Sequence, residues 1–321
     1  MSRSQRLQVV KVEAPSPLAR SVEEYLTSCK ARGLSPKTVN VAYGWPLRSL
    51  FLPWANQEGL HAPADITPRA LERLAANLLD RPGRSGSLSK NSVHAYLRAV
   101  NQWARWAKLE GEDLPERAQA PLPRLPRSLP RVLSRVQVAA LEDAAVTERD
   151  RLIVRLLADT GMRVGELVGL RTGDLLVRTR GTFLRVTGKG DRERHVPVMP
   201  RLARRLERYV DKARPSDAPS DRIFLGLRRS ARTGDYEPLT PSGVEQLVRD
   251  LGLRCGLSER VHPHLFRHSF VTHALTQGMN TVQLSKIVGH TSTAMIDQVY
   301  SHLSPTDAYD AMAAMLLRSD A

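Results

Sequence analysis

Apolar residues recur every three or four positions through most of the chain, the spacing of a helix with one buried face. Val22, Tyr25 and Leu26 mark one side of a helix from Leu18 to Gly33. The next segment, LSPKTVNVAY, offers Ser35 as a cap and Pro36 for the first helical position. Gly44-Trp45-Pro46 is expected to interrupt it before a further helix to Trp54, and Ile66-Thr67-Pro68 opens another reaching about Leu79. RPGRSGS at 81–87 reads as a loop. Val93, Leu97, Val100, Ala104 and Ala107 then trace a long helix ending at Gly111. LSPKTV at Leu34 and LSKNSV at Leu88 begin alike, which suggests two similar helical hairpins in one small domain.

In the second half, Ser134 and Gln137 form a capping box for a helix to about Ala145. Thr147 caps the next, whose Leu152, Ile153, Leu156 and Leu157 face a core; Gly161 breaks it and a new helix begins near Arg163. Short apolar runs at 175–177, 183–186 and 195–198 predict three strands, with Gly188-Lys189-Gly190-Asp191 as the turn between the last two. Residues 201–213 read as a basic surface helix, 213–240 as mostly loop, and SGVEQLVRDLGLRCG as a helix. Leu265, Phe266, Phe270, Val271, Ala274 and Leu275 mark another, in which His264 and Arg267, three apart, share a face. Asn280 and Gln283 read as a capping box for its successor, which Gly289 stops just before His290. Ser304 to Asp307 starts a last helix to about Leu317, with Tyr309, Met312, Met315 and Leu316 on its apolar side.

A length of 321 residues suggests two domains, since a single core rarely grows past roughly 250–300 residues. The division falls in PLPRLPRSLPRVLSRV, which holds four prolines, four arginines and no acid, a composition that keeps a segment extended. Lys and Arg number 48 against 33 Asp and Glu, a surplus of 15. That surplus points to a polyanion, nucleic acid first. Lys37, Lys90, Arg98 and Arg105 are candidate phosphate contacts, as are the linker's Arg124, Arg127 and Arg131. Cys29 and Cys255 suggest neither a disulfide framework nor a thiolate metal site, and no stretch reads as a signal peptide or membrane span. A cytoplasmic, nucleoid-associated protein is therefore expected.

Five motifs carry chemistry: Arg163-x-x-Glu166, the hairpin Lys189, His264-x-x-Arg267, the Val-Gly-His ending at His290, and Val-Tyr-Ser-His around Tyr300. In this order they resemble the signature of the tyrosine recombinases, the integrases of phages and mobile elements and their Xer and Cre relatives. The resemblance implies a mainly α fold with a small antiparallel β-sheet. It divides the chain into a flexible basic arm (1–17), a SAM-like helical core-binding domain (18–115), a Pro/Arg linker (116–133) and an α+β catalytic domain (134–321) with a terminal helix over 304–317. It also implies that Tyr300 attacks a DNA phosphodiester to form a 3′-phosphotyrosyl link. Arg163 and Arg267 would clamp the phosphoryl oxygens, Lys189 would protonate the leaving 5′-oxygen, and His290 would donate to the transition state. His264 would assist deprotonation of Tyr300 or hold an oxygen, with Glu166 as support. No metal, nucleotide or other cofactor is required; the partners are duplex DNA at core sites and further copies of the chain, a tetramer on two duplexes, with no membrane role. An Xer-type resolvase, a type IB topoisomerase-like enzyme and a DNA-binding regulator without catalysis are the alternatives. A metal cluster of His262, His264 and His268 is the rival reading of the histidines, but no carboxylate or thiolate completes it.

Overall fold

The computed structural model describes residues 14–83, 86–125, 131–188 and 192–289. Lys189, His290, Tyr300, Arg127, most of the basic arm and the helix expected over 304–317 lie outside them. The chain divides into two compact units, 1–127 and 128–321. No described helix is long and apolar enough to cross a membrane.

The first unit is helical. Ser16 caps α1, Pro17–Ala31, by accepting the Ala19 N–H. The expected interruption at Gly44-Trp45-Pro46 does not occur. A proline inside an α-helix has no N–H to donate and presses on the carbonyl four residues back. Here the backbone widens into π-helical turns over Thr38–Gly44 and Leu47–Phe51, with the Trp45 N–H reaching the Asn40 carbonyl, and runs directly into α2, Leu52–Gln57. Thr67 caps α3, Pro68–Asp80, and Ser89 caps α4, Lys90–Leu109. Between them the expected loop contains a two-residue hairpin, β1 (Pro82–Gly83) against β2 (Gly86–Ser87). Val22, Leu26, Leu71, Leu74, Leu97 and Trp103 form the centre of the core. The Trp103 indole donates to the Ser21 Oγ at 2.9 Å, and the Ser21 hydroxyl donates to Glu112 at 2.7 Å, so these inward polar atoms are satisfied. Trp45 differs from it: 46% exposed, it leans on Tyr96 with ring centroids 5.3 Å apart.

The second unit is built on α6, Glu148–Thr160, buried on nearly every side through Leu152, Ile153, Val154, Leu156 and Leu157. Ahead of it stands α5, Arg135–Asp143, closed by the Ser134–Gln137 capping box. Gly161 ends α6 at φ +60°, a left-handed conformation suited to glycine, and α7, Val164–Gly169, follows with Arg163 as its first flanking residue. Strands β3 (Leu175–Arg178), β4 (Gly181–Thr187) and β5 (Glu193–Val198) form an antiparallel sheet in that order, with Leu184 opposite Val196 and Val186 opposite Arg194. The β4–β5 ladder closes where the Gly188 N–H donates to the Arg192 carbonyl at 2.8 Å, the last described residues on either side of 189–191.

Helix α8, Pro200–Arg208, continues into a π turn at Tyr209–Ala213. The long loop after it is pinned by guanidinium groups: Arg222 donates to the Gly169 carbonyl and Arg149 to the Leu225 carbonyl, the latter at 2.6 Å. Helix α9, Pro241–Arg254, leads to α10, Pro263–Thr276, and α11, Thr281–Val288. The fold is thus mainly α with one small antiparallel sheet beyond the hairpin, as expected.

Candidate active site

Helix α10 begins at His262, whose Nδ1 accepts the Leu265 N–H at 3.2 Å. This cap fixes the first turn and with it the positions of His264 and Arg267. Arg267 lies on the core side and is 2% exposed. Its Nη1 donates to the Gly161 carbonyl and its Nη2 to the Val288 carbonyl, each at 2.7 Å. No carboxylate pairs with it among the described residues. Burial, then the neighbouring Arg163 guanidinium, draws it down from the ordinary arginine value to about 10, so it stays cationic at neutral pH.

Helix α11 supplies the other side. Asn280 caps it by accepting the Val282 and Gln283 N–H groups, and Gly289 ends it at φ +67°. Its last carbonyls each receive an arginine: Ile287 from Arg194 Nε at 2.7 Å, Val288 from Arg267, and Gly289 from Arg163 Nη2 at 3.3 Å. A helix C-terminus leaves such carbonyls unpaired and carries partial negative charge, so guanidinium groups suit it. The three arginines come from a loop, a strand and a helix, and converge on one turn of backbone.

Glu166 faces this cluster from α7 with its side chain 5% exposed. It accepts the Arg163 N–H at 2.7 Å and Nη1 at 3.0 Å, and Arg194 Nη1 and Nη2 at 2.9 and 2.8 Å. Burial opposes its charge, but these hydrogen bonds outweigh burial and hold it below the usual carboxylate range. One carboxylate therefore confronts three guanidinium groups, and the excess positive charge is partly sealed from water. Such a site has a standing affinity for an anion, and its donors need no reorganisation when negative charge develops. The Arg163 side chain is 46% exposed, so a ligand arriving from solvent can reach it. His264 sits nearby at the surface. Partial burial, then Arg267, His262 and Arg163, holds its imidazole below the ordinary histidine value, hence neutral at pH 7.

Of the expected site residues, the fold gathers Arg163, Glu166, His264 and Arg267, while Lys189, His290 and Tyr300 fall outside the described residues. Described residues on either side of two of these reach the cluster: Gly289 precedes His290, and β5 follows the Lys189 tip. Lys37, Lys90, Arg98, Arg105 and Arg124 are exposed. None of them has an ion-pair partner among the described residues, whereas Arg131 pairs with Glu259. Arg194 was absent from the expected set. The predicted strand began at His195 and so left it in the turn. Alternation along β5 puts Arg194 on the face of buried Val196 and Val198, where a charge demands a partner.

The description "Phage integrase family" belongs to the family model that matches residues 131–307. Tyrosine recombinase XerC 2 of Ralstonia nicotianae is 32% identical over 296 residues, covering 89% of this chain and 82% of that protein. Tyrosine recombinase XerA of Pyrococcus horikoshii is 30% identical, covering 88% of this chain and 89% of that one. Among solved structures, XerA recombinase is 27% identical at a TM-score of 0.50, covering 93% of this chain and 98% of that one. The Tn1549 transposon integrase, solved with transposon right end DNA, superposes at a TM-score of 0.70 with 18% identity, covering 94% and 99%.

Proposed function

The chain belongs to the phage integrase family of tyrosine recombinases, and from that premise we propose that it exchanges DNA strands at specific core sites, in the service of a mobile element or phage. Tyr300 attacks the scissile phosphorus, forming a 3′-phosphotyrosyl bond as the bond to the 5′-oxygen breaks, and Lys189 protonates that oxygen. Arg163 and Arg267 hold the non-bridging oxygens, with His290 as a further donor. Neutral His264 takes the phenolic proton, and Glu166 keeps Arg163 in place. Bond energy stored in the phosphotyrosyl link allows religation without a nucleotide. The observation that carries this reading is the excess of buried guanidinium charge at the end of α11.

Duplex DNA is the proposed partner. The exposed Lys37, Lys90, Arg98, Arg105 and Arg124 supply backbone contacts, with Arg127 and Arg131 of the linker joining them, and the unit before the linker acts as the core-binding domain. A tetramer is the proposed working assembly. In the second unit a groove of about 960 Å³ runs over Leu133, Val138, Phe266, Phe270, Ala274 and Met279. Its apolar floor suits the side of 304–317 that bears Tyr309, Met312, Met315 and Leu316, contributed by a neighbouring copy.

Fragmented genomic DNA incubated with the protein and denatured should yield covalent adducts whose attached ends share one core sequence, and Tyr300→Phe should bind the same DNA without forming them. A regulator without catalysis would give no adducts in either case. The Xer recombinases among the relatives favour an Xer-type resolvase as a second reading. Product topology on plasmids carrying two recovered sites separates integration, resolution and simple relaxation.

A further inference from the structure

We infer that Arg194 is a positioning residue for strand cleavage, the common reference that holds the Lys189 hairpin, Arg163 and the end of α11 in one frame. The inference rests on the proposed function and deepens it. Arg194 is engaged through all three of its nitrogens: Nε to the Ile287 carbonyl at 2.7 Å, and Nη1 and Nη2 to the two oxygens of Glu166 at 2.9 and 2.8 Å. Its side chain is 12% exposed against 46% for Arg163. With all three nitrogens engaged, two of them by one carboxylate, this guanidinium is spent on its neighbours and fixes the groups that reach the substrate; Arg267, which meets two carbonyls and no carboxylate among the described residues, keeps its charge for the phosphate.

Three elements meet on it. It lies on β5, a few residues beyond the hairpin tip with Lys189. Through Glu166 it sets the carboxylate that receives both the backbone N–H and the Nη1 of Arg163. Through Ile287 it grips the last turn of α11, which ends at Val288, two residues before His290. A Cβ built at Gly289 would stand 2.9 Å from Arg194 Nη1 and 3.0 Å from Cζ, so the guanidinium packs against the bare α-carbon of that glycine. The planar fork is needed. A lysine ammonium can replace one of these contacts but cannot span the two carboxylate oxygens and a carbonyl on a different helix.

The test compares Arg194→Met and Arg194→Lys with wild type on a nicked duplex carrying the site recovered by covalent mapping. Misplacing a catalytic group by about 1 Å costs on the order of 100-fold. Single-turnover formation of the covalent complex should therefore fall roughly 10–100-fold in both variants, while the DNA dissociation constant stays within about threefold, a shift of about 0.65 kcal/mol. The decisive readout is coupling. Because Arg194 acts in part through Glu166 and Arg163, adding Arg194→Met to Arg163→Ala should slow cleavage by clearly less than the full factor it costs wild type. Either role lowers thermal stability, since the buried pair with Glu166 is lost; a purely structural role would in addition multiply the two defects and weaken DNA affinity along with the rate. Should Arg194→Met fail to fold, Arg194→Lys, which keeps the charge, carries the same comparison. Wild-type cleavage by Arg194→Lys, or multiplied defects in the double variant, overturns the inference. Absence of an adduct with wild type overturns the proposed function instead.

Discussion

Glu166→Gln is the sharpest perturbation of the arginine cluster. The carboxylate is 95% covered and accepts four hydrogen bonds at 2.7–3.0 Å from Arg163 and Arg194. The amide keeps the shape but loses the charge, and its NH₂ turns donors toward donors. Removing one partner of a buried ion pair costs about 3–5 kcal/mol. In a unit of this size each kcal/mol moves the melting temperature by roughly 2–4 °C, so the transition of the second unit should drop by roughly 6–20 °C. An internal control is Glu23→Gln in the first unit, where Arg48 grips Glu23 at 2.6 Å but the side chains are 42% and 52% exposed; there the expected loss is about 0–1 kcal/mol. Acid titration gives an independent reading. Glu166 is held below its ordinary value of 4.5, so its stabilisation is complete above that pH and disappears as the pH falls through the lower folded-state value. Calorimetry of both variants across pH 3–7 would decide the matter. A Glu166→Gln transition within about 1 °C of wild type, equal to the Glu23→Gln control, would refute the claim that this cluster is a buried charge network.

Three further outcomes follow from the same geometry. Because partial burial, then Arg267, keeps His264 below its ordinary 6.5, wild-type cleavage should stay level from pH 8 down through that value and fall only beneath it, and His264→Asn should lack that acid limb; a decline already present at pH 7 contradicts a neutral base. Gly161→Ala forces a side chain at φ +60° to within 2.5 Å of the Phe270 Cδ1. About 1–2 kcal/mol of left-handed strain and about 1–3 of overpacking should appear in chemical denaturation, with cleavage impaired because the Gly161 carbonyl holds Arg267; a loss under about 1 kcal/mol would contradict this. Deleting 304–321 should leave cleavage on a single half-site intact and abolish the higher-order complex seen by light scattering on two duplexes; undiminished assembly removes the groove as an acceptor.

Much of the fold was legible because its signals are local. Ser35, Thr67, Ser134, Thr147 and Asn280 all cap helices, and an N-cap needs only a side-chain oxygen two or three residues ahead of its N–H. What escaped depended on tertiary context. Gly44-Trp45-Pro46 reads as a break, yet π turns absorb both Pro46 and Pro53 within one helical run. Of the site, spacing within α10 and around Arg163 was enough to pair His264 with Arg267 and Arg163 with Glu166. Arg194 was hidden because its partners lie 28 and 93 residues away, on α7 and α11, and no local pattern links them.

The most direct measurement is chemical: trap the covalent complex on a nicked core site, digest both protein and DNA, and identify by mass spectrometry the peptide that carries the residual nucleotide. A single modified peptide is expected, with the nucleotide 3′-linked to Tyr300. A nucleotide on Tyr309 or any other residue, a 5′ linkage, or cleaved DNA with no peptide attached would contradict it.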